Sequence, residues 1–96
     1  MILNKDGSVS FRNSYTFFIN VNGRANNGAE INILDNNVKK STKYHLEYIG
    51  NGLFTIYSAL NQNFCIDVNG ASSNNGTKIQ LYWKNSTSAQ KFRFVE

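Results

Sequence analysis

The chain has 96 residues, 41% of them hydrophobic, and its ten Lys and Arg against six Asp and Glu give a net charge of +4. This length holds one domain at most, and the dispersed basic residues argue against nucleic-acid binding. No apolar run is long enough for a transmembrane helix, no hydrophobic leader follows Met1, and a single cysteine, Cys65, excludes an internal disulfide.

The predicted secondary structure consists of strands. Seven Phe, five Tyr and one Trp occur with sixteen Asn and no Pro. Aromatic and β-branched runs interrupted by Asn-Gly pairs favour an all-β fold. In chain order, alternation of apolar and polar residues predicts strands at 8–13, 17–21, 30–34, 44–48, 53–58, 64–68, 78–82 and 92–95. The pairs Asn27-Gly28 and Asn75-Gly76 predict turns of positive φ.

The same alternation predicts which side chains face the core, because successive residues of a strand point to opposite faces. The predicted core residues are Val9, Phe11, Ile19, Val21, Ile31, Ile33, Tyr44, Leu46, Phe54, Ile56, Ile66, Val68, Ile79, Leu81, Phe92 and Phe94. Asp67, Gln80 and Tyr82 are out of phase with this set, so they are expected on the opposite face. Cys65 lies within an apolar strand and is expected to be a buried, inert thiol.

Two halves of the chain align with each other. FINVNG at residues 18–23 matches CIDVNG at 65–70, and GAEINIL at 28–34 matches GTKIQLY at 76–82. The match continues from TKYHL at 42–46 to QKFRF at 90–94. The two copies are shifted by 47 or 48 residues. Self-similarity at a period of this length is typical of repeat architectures. The sequence therefore predicts one domain, residues 1–96, built from a first repeat (residues 4–48) and a second repeat (residues 49–96).

The second repeat resembles one repeat of the ricin B-type β-trefoil lectins, through CIDV at 65–68, NGTKIQLY at 75–82 and QKF at 90–92. The last tripeptide resembles the family's Gln-x-Trp signature with Phe for Trp, as in modules attached to bacterial cell-wall and polysaccharide hydrolases. The resemblance implies a β-trefoil, a barrel capped by hairpins and built from three four-strand repeats, two of which are present here. It also implies a secreted host protein, such as a hydrolase, toxin or haemagglutinin.

Two of three repeats would leave open strand edges and an open core. We therefore expect completion by oligomerisation of the chain or by a missing N-terminal repeat of a longer parent chain.

The resemblance also implies a sugar site in the second repeat. Asp67 takes the position of the family's hydroxyl-binding carboxylate and Tyr82 that of its stacking aromatic. Gln80 would brace the pocket, and Gln90 would orient the carboxylate or touch the ligand. This residue set suits a sugar, since carboxylates and amides bond hydroxyls and a ring covers the apolar face of a pyranose.

One residue of the second repeat departs from the family pattern. The polar residue that usually precedes the signature Gln is Ala89 here, which removes a hydrogen bond. Asn85, in the same loop, is a candidate to compensate for it.

The first repeat has Asn20, Asn32, Leu34 and Thr42 at the matching positions. The carboxylate, the ring and the signature Gln are all replaced, so we predict a structural repeat and at most one working sugar site.

The sequence thus predicts a non-catalytic carbohydrate-binding module for a galactose-, xylose- or hexosamine-containing glycan. The alternative is a structural or protein-interaction trefoil without a working sugar site. No acid–base pair supports an enzyme, and one Cys and one His give no metal site. No cofactor, nucleic-acid partner or membrane insertion is expected. Trp83, at a strand end, is a second possible stacking surface or a half-buried packing residue, and His45 has no partner for chemistry.

Overall fold

The computed structural model describes residues 1–13, 17–37, 39–72, 74 and 76–94. Its strands are β1 Ile2–Leu3, β2 Val9–Ser10, β3 Phe18–Val21, β4 Ala29–Leu34, β5 Tyr44–Gly50, β6 Leu53–Ser58, β7 Phe64–Val68, β8 Ile79–Trp83 and β9 Phe92–Arg93. Single 3₁₀ turns occur at Lys40–Thr42, Asn69–Ala71 and Ser88–Gln90. The described residues include no helix that could span a membrane.

The strand pairing follows the repeat. In each repeat the first strand pairs with the last one, β2 with β5 and β6 with β9, and the β5–β6 hairpin joins the repeats. The middle strands form the hairpins β3–β4 and β7–β8, which contact each other through β4 and β8. Barrel strands with capping hairpins form a β-trefoil arrangement, so the predicted fold class is confirmed. The repeat boundaries at residues 48 and 49 remain a prediction.

Of the eight predicted strands, only the two that correspond to β6 and β7 have the predicted limits. β6 and β7 begin and end where predicted, but β2 covers only Val9–Ser10, and an isolated bridge joins Arg12 to Phe18. β5 extends to Gly50, with a register shift between Tyr48 and Gly50. Gly28 and Gly76 have positive φ, as the turn prediction requires. Val95 of the last predicted strand and Asn75 of the second turn lie outside the described residues.

The core is made by alternate side chains from both repeats. Its buried residues are Val9, Val21, Tyr44, Ile56, Ile66 and Leu81, all of which were predicted. The fully buried Tyr44 donates its hydroxyl to the backbone oxygen of Ile19, 3.1 Å away, and so links β5 to β3. Burial of this ring raises the pKa of its phenol, since the charged form would lose its hydration.

The core prediction is wrong for four residues, which are 37–56% exposed: Ile19, Ile33, Ile79 and Phe94. Ile19, Ile79 and Phe94 line an open cavity of about 260 Å³, the apolar cavity, together with Phe11, Tyr44, Ile56 and other core side chains. Alternation predicted their direction, but no described segment covers that side of the core. In the part of the chain described, β1 pairs only with β2 and β9 only with β6, so both keep a free edge.

Candidate carbohydrate site

The β7–β8 hairpin brings the predicted site residues together. Asp67 and Gln80 are direct cross-strand partners, and Tyr82 lies opposite Cys65 on the same face. Ile66 and Leu81 point to the other face and pack in the core. Above the polar face lies a cavity of about 340 Å³, the second-repeat cavity, lined by Asp67, Asn69, Gly70, Ala71, Gln80, Tyr82, Asn85, Thr87 and Ala89. This volume lies at the small end of the range for ligand pockets, about 300–1,000 Å³.

The carboxylate of Asp67 is held by two amide donors and is only 5% exposed. Its Oδ1 accepts from Nε2 of Gln80 at 3.2 Å, and its Oδ2 accepts from Nε2 of Gln90 at 3.0 Å. Both partners are donors, so position 67 requires two acceptor oxygens, which a carboxylate has and a carboxamide lacks. Each of these oxygens has a further lone pair, and Asp67 is one of the residues that line the second-repeat cavity.

Gln90 is completely buried and connects three segments. Besides Asp67, its Nε2 donates to the backbone oxygen of Trp83 at 2.9 Å, and its Oε1 accepts from the backbone nitrogen of Asn85 at 2.9 Å. Of the two roles open at the sequence level, burial favours orientation of Asp67, because a side chain without exposed surface has no atom left for a ligand.

Other side chains form the wall of the cavity. Tyr82 is 36% exposed, so part of its ring is accessible. The Oδ1 of Asn85 accepts from the backbone nitrogen of Thr87 at 3.1 Å and from its hydroxyl at 2.8 Å, which leaves the Nδ2 of Asn85 as a donor. Ala89 is buried and presents only a methyl group.

Sequence reasoning missed some of the cavity wall. Thr87 was not singled out, nor was the turn of Gly70 and Ala71, where both residues have positive φ. The Asn69-Gly70 pair was the only signal for that turn.

Two other residues considered for function, Trp83 and His45, do not line the second-repeat cavity. Trp83 is 51% exposed and packs edge-on against Phe64, with ring centroids 5.3 Å apart. His45 lies on β5, where it pairs with Tyr57. No group of three potential metal ligands occurs among the described residues.

Cys65 is fully buried on the strand that carries Asp67. Burial raises the pKa of its thiol to about 12; the nearby Asp67 carboxylate adds to this shift, and Lys84 opposes it. The thiolate is therefore scarce at neutral pH, as expected for an inert thiol.

The first repeat forms the same hairpin with different bonds. Asn20 and Asn32 are cross-strand partners, and Nδ2 of Asn20 donates to Oδ1 of Asn32 at 2.8 Å. Thr42, at the position of Gln90, instead places its hydroxyl 2.6 Å from Oδ1 of Asn37 and 3.0 Å from the backbone oxygen of Lys39, so its single proton is donated to one or the other of these two acceptors. The shorter side chain makes no bond to Asn20, so the bracing seen at Asp67 is missing here.

Comparison with known proteins agrees with the fold. The family model "Ricin-type beta-trefoil lectin domain-like" matches residues 3–82. Comparison with curated proteins gave no match. A solved structure, the crystal structure of the designed 3-fold symmetric protein ThreeFoil, superposes with a TM-score of 0.88 at 18% identity over 95% of this chain and 66% of that one. The family match covers well over half of the sequence, and the chain belongs to the ricin-type β-trefoil lectin domain-like family.

Proposed function

We propose that the protein is a non-catalytic carbohydrate-binding module that recognises a galactose-, xylose- or hexosamine-containing glycan through its second repeat. The observation that carries the proposal is the Asp67 carboxylate, oriented by Gln80 and Gln90 in a cavity that also exposes the ring of Tyr82. In this proposal Asp67 accepts bonds from vicinal hydroxyls and Tyr82 covers the apolar face of the sugar. Asn85 would donate from Nδ2 and so offset the methyl group of Ala89.

The lack of catalysis is part of the proposal. Hydrolysis of a glycosidic bond ordinarily uses a pair of carboxyl groups. Asp67 is the only acidic side chain among the described residues that line the second-repeat cavity. A single carboxylate held by two amides suits recognition of hydroxyl groups rather than proton transfer.

A shallow site of this kind should bind weakly, with a dissociation constant on the order of 0.1–1 mM. Useful retention on a polysaccharide or cell surface would then depend on several linked sites acting together. We propose an extracellular setting, where such glycans are displayed.

Titration of ¹⁵N-labelled protein with galactose, xylose and N-acetylgalactosamine tests this function. We expect saturable amide shifts in residues 65–90 for at least one sugar, because the proposed contacts all lie on β7, β8 and the following loop. Cellobiose serves as the mismatched control. Unchanged spectra at tens of millimolar of every sugar would contradict the proposal and favour the alternative, a trefoil that binds protein partners.

The apolar cavity supports a second proposal, that a further copy of the chain covers it. Ile79 and Phe94 line it while 45% exposed, and β9, which lines it through Phe92 and Arg93, has a free edge among the described strands. This chain spans 66% of a solved structure described as 3-fold symmetric, so the fold has space for one more repeat-sized unit. A second copy carries units of that kind, and burial of apolar surface would stabilise the contact.

Ile79→Lys is expected to shift the protein to the monomer, because a charge on the cavity wall would have to be desolvated in the contact. Sedimentation velocity over a wide range of protein concentration measures this. The matched control is Ile33→Lys, since Ile33 is 56% exposed but does not line the cavity. A wild-type chain that stays monomeric at every concentration would contradict self-association and leave a repeat of a longer parent chain as the alternative.

A further inference from the structure

A third cavity lies between the β5–β6 hairpin and the segment that joins β8 to β9. Its volume is about 210 Å³, and we call it the loop cavity. Its wall consists of Glu47, Ile49, Thr55, Lys84, Ser86 and Lys91, none of which lines the second-repeat cavity or the apolar cavity. Ligand pockets ordinarily start at about 300 Å³, so this smaller cavity suits an ion or one charged group of a larger ligand.

Thr55 brings an unpaired hydroxyl to the loop cavity. The residue is only 5% exposed, and its side chain makes no hydrogen bond to any residue that the structure describes. Within that part of the chain, the one unpaired side-chain atom sealed from solvent is Oδ1 of Asn20, so the Thr55 hydroxyl keeps some accessible surface. A hydroxyl with so little access to water is costly to leave unpaired, and an acceptor that enters the cavity would remove that cost.

The first repeat shows which partners a hydroxyl at this position takes. DGSVSF at residues 6–11 aligns with NGLFTI at 51–56, so Ser10 corresponds to Thr55. The Ser10 hydroxyl is completely buried; it accepts from Nδ2 of Asn4 at 2.9 Å and donates to Oδ1 of Asn37 at 2.8 Å. Two side-chain amides therefore satisfy this hydroxyl in the first repeat.

The second repeat lacks both of these partners. Ile49 stands at the position of Asn4 and has no polar atom in its side chain. Asn85 stands at the position of Asn37, but its Oδ1 accepts from the backbone nitrogen and the hydroxyl of Thr87. The loss of both amides leaves the hydroxyl of Thr55 without a partner inside the chain, next to a cavity that can hold one.

Most of the other polar groups in the wall are donors. Lys84 and Lys91 supply ammonium groups, and Ser86 supplies a second hydroxyl. Glu47 is the only acidic side chain among the described residues of the wall. Its Oε1 lies 3.7 Å from Nζ of Lys84 and accepts from the hydroxyl of Tyr57 at 3.1 Å. Lys91 is exposed and takes no part in that salt bridge, the one salt bridge among the described residues. Two cations, two hydroxyls and a carboxylate that is already paired favour a negatively charged ligand with several acceptor oxygens.

We propose that the loop cavity binds a tetrahedral oxyanion, a sulfate or a phosphate. The Thr55 and Ser86 hydroxyls donate to its oxygens, and the ammonium groups of Lys84 and Lys91 balance its charge. This site is separate from the proposed sugar site, because the two cavities share no wall residue. It takes a different class of ligand, selected by charge.

Titration of ¹⁵N-labelled protein with sodium sulfate or sodium phosphate tests the proposal, with sodium chloride used to keep the ionic strength constant. We expect saturable amide shifts at residues 47–49, 54–56 and 84–91 for at least one of the two anions. Methyl sulfate and methyl phosphate identify the source of the group. Binding of the methyl ester as well indicates an ester on a larger ligand, binding of the free anion alone indicates an inorganic ion, and either result supports the proposal. Unchanged spectra with both anions, or equal shifts with chloride alone, would overturn it.

Thr55→Val removes the hydroxyl but keeps the shape of the side chain. We expect it to weaken anion binding about fivefold or more, since a bond to a charged oxygen is lost. The midpoint of urea denaturation should not fall, because this hydroxyl bonds no described residue. Retained stability therefore separates a ligand contact from a structural one, and wild-type affinity in this variant would contradict the proposal.

Lys91→Ala is expected to weaken anion binding to a similar extent, because an unpaired ammonium group is lost from the wall. The matched control is Lys5→Ala, which removes an exposed lysine that does not line the cavity. An equal loss in both variants would mean that only the net charge of the chain attracts the anion, and would overturn the proposed site. Amides of β7 report the sugar site in separate sugar titrations, so each site succeeds or fails independently of the other.

Discussion

Gln90→Ala is expected to lower the free energy of unfolding by about 2–4 kcal/mol, because several buried polar groups lose a partner at once. Gln90 is completely buried and bonds the Asp67 carboxylate, the backbone oxygen of Trp83 and the backbone nitrogen of Asn85. Truncation leaves part of a charged group unpaired and also opens a cavity. For a domain whose total stability is about 5–15 kcal/mol, this is a large loss.

Urea denaturation of the wild type and the variant measures this change. Gln80→Ala is the matched control, because Gln80 also donates to Asp67, at 3.2 Å, but is only half-buried. Its loss should cost about 0.5–1.5 kcal/mol. If the two variants had the same free energy of unfolding, Gln90 would contribute no more than Gln80 to holding the Asp67 carboxylate in place.

Tyr82→Ala is expected to weaken sugar binding by roughly 5- to 30-fold, since about 1–2 kcal/mol of apolar contact with the sugar would be lost. The ring is partly exposed on the cavity wall. Removing it should therefore change the free energy of unfolding by less than about 0.5 kcal/mol. Loss of binding with retained stability separates a ligand contact from a structural one.

Tyr82→Phe distinguishes the ring from its hydroxyl in this test. If stacking dominates, the Phe variant should keep affinity within about twofold of the wild type. The measurement is the dissociation constant from the same amide titrations, with the sugar that the wild type binds best. Wild-type affinity in Tyr82→Ala would contradict the proposed stacking role.

The two repeats differ in their hydrogen bonds because a few substitutions change which bonds can form. Asp67 accepts from both Gln80 and Gln90, whereas Asn20 bonds only Asn32, and Thr42 makes its bonds elsewhere. The alignment of the two copies predicted these replacements, and from them an inactive first repeat. The alignment does not show that Thr42 bonds Asn37 rather than Asn20, or that Oδ1 of Asn20 has no partner among the described residues, because both depend on tertiary contacts.

The sequence by itself determined the repeat, the all-β class and the limits of β6 and β7. It also determined that Asp67, Gln80 and Tyr82 share one face, because side-chain alternation is a local property of a strand. Only the tertiary structure decided that Gln90 is buried and that Ile19, Ile79 and Phe94 stay exposed. The burial of a side chain depends on which other segments cover its face of the strand. Those segments come from both repeats, so only their packing together determines which side chains are buried.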